Sequence, residues 1–176
     1  MRKRLLPFFL FLTLACAYPL AGFSIDVSSV ADLEGIATQA ASDGCAGQVI
    51  HLKADLDLNG ATWSPIGTSA HPFVGTFHGH GHMIKGLRAF NGSLDGSGLF
   101  GHVGQDGVID SLGISGGNVV AKASGRRRIG VIAGVCDGTI RQCWSMATIV
   151  AAGNVCGGLV GELTAHGLIE DCYHSG

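Results

Sequence analysis

Three stretches of this chain spell nearly the same string, and that limits the fold more than any other feature. The first is Ser97-Gly98-Leu99-Phe100-Gly101 with Gly107-Val108-Ile109-Asp110-Ser111-Leu112. The second is Gly130-Val131-Ile132-Ala133-Gly134 with Gly138-Thr139-Ile140-Arg141-Gln142-Cys143. The third is Gly157-Gly158-Leu159-Val160-Gly161 with Gly167-Leu168-Ile169-Glu170-Asp171-Cys172. The second halves begin at 107, 138 and 167, so the periods are 31 and 29 residues. A period of this size marks a solenoid or array, in which one unit cannot bury its apolar face alone.

Within each repeat the apolar runs are short, three to six residues, and are punctuated by Gly, Asn, Asp and Ser. Those residues take the tight or left-handed turns that corners need. Ile109, Ile140 and Ile169 fall at equivalent places, as do Leu99, Ile132 and Leu159. One turn apart, such residues stack at about the ~4.8 Å strand spacing and form continuous aliphatic rows. The glycine and β-branched content excludes helical repeats. A propeller blade needs ~40 or more residues. The expected fold is all-β: a right-handed parallel β-helix, or β-solenoid, its hand set by the crossover rule.

Upstream, Phe23-Ser24-Ile25-Asp26-Val27 alternates as a strand. Val30, Leu33, Ile36, Ala37 and Ala40 then fall at helical spacing through residues 30–41. Ser28 or Ser29 caps this helix, with Asp32 completing a capping box after Ser29, and Asp43-Gly44 stops it. It is expected to lie over the first coil, because a solenoid needs its open sheet end covered. Strands are expected at 48–52, at 73–77 with Phe73, Gly75 and Phe77 on one side, and at 83–87. The domain plan is a cap at 23–47 and coils over 48–176, with repeats at 97–128, 129–155 and 156–176.

The first residues carry a different signal. Arg2, Lys3 and Arg4 precede an apolar core at 5–15 and the small-x-small site Ala15-Cys16-Ala17. This is a signal peptide spanning 1–17, with cleavage as late as 22 as the alternative. Its core is too short to cross a bilayer as a helix, and no later run is long enough. Losing three basic residues leaves 8 Lys+Arg against 13 Asp+Glu, a net charge of −5. That argues against nucleic acid and anionic membrane as partners. Five cysteines remain: Cys45, Cys136, Cys143, Cys156 and Cys172. An odd number precludes complete pairing within one chain, and the absence of C-x-x-C removes zinc-ribbon and thioredoxin-like readings.

Several strings together resemble the GLUG-repeat proteins. They are Asp55-Leu56-Asp57-Leu58-Asn59-Gly60, Trp63-Ser64-Pro65-Ile66-Gly67, the stretch 73–84, Gly98-Leu99-Phe100-Gly101, and Gly157-Gly158-Leu159-Val160-Gly161. Cys172-Tyr173-His174-Ser175-Gly176 is similar to the usual end of such a repeat. The resemblance covers roughly residues 30–176 and implies bacterial secreted or surface proteins with right-handed β-helical repeats. Two departures stand out: His78 and His80 replace the family's Asp and Asn, and the second repeat has Val131 and Ala133. Some family members are parts of metallopeptidases, but the His-Glu-x-x-His string those require is missing here.

The chemistry-bearing candidates are few. His78, His80 and His82 would share one face of a strand and could hold a metal, but the intervening glycines favour a hydrogen-bonding turn. Asp55 and Asp57 could form a paired-carboxylate or calcium site, or simply an exposed strand face. Cys143 and Cys172 share a repeat position, so they stack as a disulfide or as two small apolar core residues. Arg126-Arg127-Arg128 could meet acidic polysaccharide or lipid headgroups, or be a solvated loop. No catalytic, cofactor or metal site is assigned. The expected function is an exported, non-enzymatic surface module with an adhesive or scaffolding role, a fragment of a larger protein being one form of it. Its partners would be host or cell-surface glycans or proteins, with end-to-end self-association through an uncapped last coil. The alternative is a carbohydrate-active β-helix enzyme or carbohydrate-binding module, recognisable by a groove lined by Asp55, Asp57, His78 and His80.

Overall fold

A computed structural model of the protein describes residues 23–90, 96–121, 128–151 and 155–176. The signal peptide expected at 1–17, Arg126 and Arg127 lie outside these residues. The chain opens with β1 (Ser24–Val27) and α1 (Val30–Asp43). The first coil carries β2 (Val49–Leu52), β3 (Leu56–Asp57) and β4 (Thr62–Trp63). The second carries β5 (Thr76–His78), β6 (Met83–Phe90), β7 (Gly96–Ser97) and β8 (Phe100–Val103). The third repeats this with β9 (Val108–Asp110), β10 (Gly113–Ala121), β11 (Arg128–Gly130) and β12 (Ala133–Cys136). The fourth does so with β13 (Thr139–Arg141), β14 (Trp144–Ala151), β15 (Val155–Gly157) and β16 (Val160–Leu163), and β17 (Leu168–Glu170) and β18 (Tyr173–His174) begin another turn.

Strands from successive coils pair in parallel and make a β-solenoid of about four turns. The first sheet runs β1-β2-β5-β9-β13-β17, and the second β3-β6-β10-β14-β18, with β4 also on β6. Two shorter sheets, β7-β11-β15 and β8-β12-β16, close the cross-section. The expected row Ile109, Ile140 and Ile169 is in register, and the structure extends it back through Phe77 to Ile50. Of these, all but Ile169 are fully buried, as are Leu99 and Ile132 of the second row. Each such side chain is covered by its counterparts one coil above and below, which is how short strands reach a packed interior.

The helix forms where the sequence placed it and runs two residues further. Ser29 is the N-cap, its hydroxyl accepting from the Asp32 N–H while the Asp32 carboxylate accepts from the Ser29 N–H. Gly44 ends the helix in the left-handed region at φ +66°. Leu33, Ile36 and Ala40 enter the core shared with the coils, so α1 covers the first coil end.

Two expectations about strands need correction. The second-sheet strands β6 and β14 have eight residues and β10 has nine, longer than the expected maximum of six. Gly86, Gly116 and Gly117 have positive φ, and the register of β10 on β14 shifts between Ser115 and Asn118. Such an irregularity bends a strand without ending it, so one strand can turn a corner. The stretch 73–77 is not a single strand: β5 starts at Thr76, and Phe73 makes an isolated bridge to Val103 in another part of the cross-section.

Glycines at one repeated position are explained by close approach rather than by φ. Gly101, Gly134 and Gly161 occupy the same place in β8, β12 and β16. A Cβ on Gly134 would lie 2.4 Å from Gly96 Cα, and one on Gly161 would lie 2.3 Å from the Ile129 nitrogen. These glycines therefore let the third sheet press against the fourth, and a concave corner forms between the two.

Candidate functional site

The histidine-rich turn is held by three different partners. At the end of β5, Nδ1 of His78 lies 2.9 Å from both carboxylate oxygens of Asp110 on the next coil. His80 has φ +52°, which swings its ring back so that its Nε2 lies 2.8 Å from Nδ1 of His51. His82 and the Met83 N–H both bond the Asp55 carboxylate, at 3.2 and 3.0 Å. His78 and His80 adjoin, their ring centroids 5.7 Å apart beside His51, while His82 goes to Asp55, and the positive φ of His80 and Gly81 makes the turn. Among the described residues no group of three or more His, Cys, Asp or Glu is placed to hold a metal ion.

His51 had no signal of its own in the sequence, because it stands outside any repeated string. The register supplies it. Asp26, His51, His78, Asp110, Arg141 and Glu170 form one outward-facing row along the first sheet. His51 stacks on His78 at 5.3 Å and on His80 at 5.0 Å between ring centroids. Burial, then the charge of Lys53 and the neighbouring imidazoles, lower the His51 pKa, so this ring favours its neutral form. Arg141 completes the row with an ion pair to Asp110 at 3.2 Å. The left-handed corner at His80 recurs at Ser111, Gln142 and Asp171. Each coil thus turns at the same place, where Asn and Asp are the residues most at ease.

The other sequence candidates separate. Asp57 accepts from the Asn59 N–H at 2.8 Å as a local turn, while Asp55 serves His82, Met83 and, at 4.0 Å, Lys85. The first of these is a turn brace, the second an anchor for the next coil, and they act separately. Cys143 and Cys172 do stack: the Cys143 N–H points at the Cys172 sulfur at 3.3 Å. Both are thiols in this structure, each directed at the carbonyl two residues back, Arg141 and Glu170. Burial pushes Cys143 up to about 12 and Cys45 and Cys136 up to about 11, which keeps these three protonated and poorly nucleophilic at neutral pH.

A groove does exist; of the candidates singled out in the sequence it takes in Arg128, and its other polar lining residues were not singled out. The concave corner between the third and fourth sheets encloses about 280 Å³. His102, Val135 and Glu162 lie in register on β8, β12 and β16 and form one wall. Arg128, at the start of β11, faces them, and its Nε donates to Glu162 Oε2. Thr68 and Ser69 close one end and Thr164 the other. The Thr164 hydroxyl donates to Asp137, whose carboxyl is held below the usual range by that bond and by His166. Burial, helped by the Arg128 charge and opposed by Asp137 and Glu162, lowers the His102 pKa. Asp55, Asp57, His78 and His80 are not among the lining residues. A second concavity of about 570 Å³ lies between α1 and the segment 62–65, and Glu34 is its one ionisable lining residue.

The chain resembles two known proteins. It is 30% identical over 153 residues to halomucin of Haloquadratum walsbyi, covering 81% of this chain and 2% of halomucin. It is 37% identical over 79 residues to a putative Gly-rich membrane protein of Evansella cellulosilytica, covering 44% of this chain and 9% of that protein. The chain thus spans a small part of either relative. No family model and no solved structure matches it. These likenesses suggest a surface-type protein. No helix among the described residues is long and apolar enough to cross a membrane.

Proposed function

We propose that this chain is an exported, non-enzymatic surface module of the GLUG-repeat type, with an adhesive or scaffolding role. One observation carries the reading: a stacked-coil fold whose likeness to halomucin extends over 81% of the chain yet takes up 2% of that much larger protein. A small unit that matches so small a part of a long protein is suited to presentation as one segment among many. The middle of the outward row supports it, since His51, His78, Asp110 and Arg141 of neighbouring coils stack or pair with one another there, as a face braced from coil to coil does. End-to-end association through the last coil belongs to the same proposal.

The test is binding of the protein to arrayed glycans and to immobilised extracellular-matrix proteins. Saturable binding to at least one class is the expected result. The reading is overturned if nothing binds and the protein instead cleaves a polysaccharide, which would establish the carbohydrate-active alternative.

A further inference from the structure

The corner groove is the place where this fold gathers polar side chains that the packing does not require. His102 and Val135 come from the second and third coils, Glu162 and Thr164 from the fourth, and Thr68 and Ser69 from the first. Successive coils are about 4.8 Å apart, so the lined path extends over about 14 Å along the solenoid axis. An elongated ligand fits this shape better than a compact one.

The lining chemistry narrows the class. Arg128 donates only, Glu162 accepts only, and a neutral imidazole at His102 offers one donor and one acceptor. The Thr68 and Ser69 hydroxyls at one end can do both, and the Thr164 hydroxyl at the other, which donates to Asp137, is left to accept. A ligand satisfying all of them must donate and accept along its whole length, as a row of hydroxyl groups does. Among the described residues, Glu162 and the nearby Asp137 outweigh Arg128 and disfavour an anion. A bare cation finds no set of three donors arranged for it among the described residues. The Arg128 and Glu162 side chains are each partly exposed, so their mutual bond can be exchanged for bonds to a ligand. The glycine ladder supports the site independently of these groups. Side chains at Gly101 or Gly134 would collide with backbone at 2.4 Å, so the concavity is built into the main chain rather than left by chance between side chains.

We propose that the groove lined by His102, Arg128, Glu162 and Thr164 binds a neutral saccharide chain. The proposal rests on the adhesive reading and names its ligand class and contact surface. The experiment is amide and imidazole NMR of the isotope-labelled protein titrated to about 10 mM, a range suited to weak binding, with cellotriose, maltotriose, triacetylchitotriose and, as the acidic counterpart, trigalacturonic acid. At least one neutral probe is expected to shift His102, Val135, Glu162 and Thr164 together, and the acidic probe is expected to bind at least tenfold more weakly. Glu162→Ala and His102→Ala should each weaken the neutral probe about tenfold, with the circular dichroism spectrum unchanged. Thr68→Tyr, at the far end, keeps the question open to test if either variant misfolds: it should block binding sterically.

The groove assignment fails if no neutral probe shifts these residues, if the shifts fall elsewhere, or if trigalacturonic acid binds best. It also fails if the folded variants bind as the parent does. Array binding that persists unchanged in Glu162→Ala would remove the groove while leaving the adhesive reading intact. Groove shifts by a neutral probe in a protein that retains no arrayed glycan or matrix protein would do the opposite.

Discussion

The two ends of the solenoid are built from the same kinds of residue and meet water very differently. At the first end Val27, Leu33 and Ala40 are 0% exposed, because α1 lies over the coil. In the last coil Leu163 is 48% exposed, although its register partners Val103 and Cys136 are 0%. Leu168 and Tyr173 are 45% and 57% exposed. The Tyr173 ring stacks on Trp144 at 12° between planes. Burial in this fold is therefore a property of position along the stack and not of residue type. A row member is buried only when it has neighbours on both sides.

The sharpest way to break that comparison is to truncate the same row at both places. Ile109→Ala, in the interior, should cost about 2–5 kcal/mol in urea unfolding, the usual range for an aliphatic core residue cut to alanine. Ile169→Ala, at a partly exposed member of the same row, should cost about half as much or less, since less area is withdrawn from water there than at Ile109. Equal losses would mean that the last coil is buried in solution.

The cap gives a smaller effect. Ser29→Ala should lower stability by about 1 kcal/mol, the typical worth of such a cap. Its partner supplies a pH signature. Hydrogen bonds from the Ser28 N–H and from Ser29 hold the Asp32 carboxyl below its ordinary value of 3.8. A depressed carboxylate pKa stabilises the fold fully above that value, and the contribution is lost as pH falls through the folded pKa. Asp32→Asn should therefore differ from the parent near neutrality, and the gap should close below about pH 3.8.

Weakest is the contact between molecules. If the open coil associates end to end, Leu168→Lys should lower the apparent mass by light scattering at high concentration, and Ser29→Ala should not. A strictly monomeric parent at all concentrations would refute the association.

Much of this was legible in the sequence, for physical reasons. The Ile109, Ile140 and Ile169 row could be found because a stacked core demands the same apolar residue once per coil. The Ser29 to Gly44 helix was marked by residues whose local chemistry starts and stops a helix. His78, His80 and His82 were visible as a cluster, but their partners His51 and Asp110 come from adjoining coils, and only the register assigns them. The groove was hidden for the same reason. Thr68, His102, Arg128 and Glu162 have no common motif, and what joins them is the close approach that Gly101, Gly134 and Gly161 permit. Glycine repeated at that position was a signal of tight contact that the corner explanation absorbed too readily. The length of β6 and β10 escaped because positive-φ glycines look like strand ends and here act as bends; β14 has no glycine and follows β10 in register.

The parallel ladders have a mechanical consequence. Every strand pair joins one coil to the next, so the hydrogen bonds between coils all point along the long axis. Tension carried from one end to the other is borne at each coil boundary in turn, and the boundary with the least buried apolar surface yields first. A coil of about 30 residues that peels away releases about 100 Å of chain. Pulled along its axis, such a stack behaves as a tether that lengthens in increments, one coil at a time.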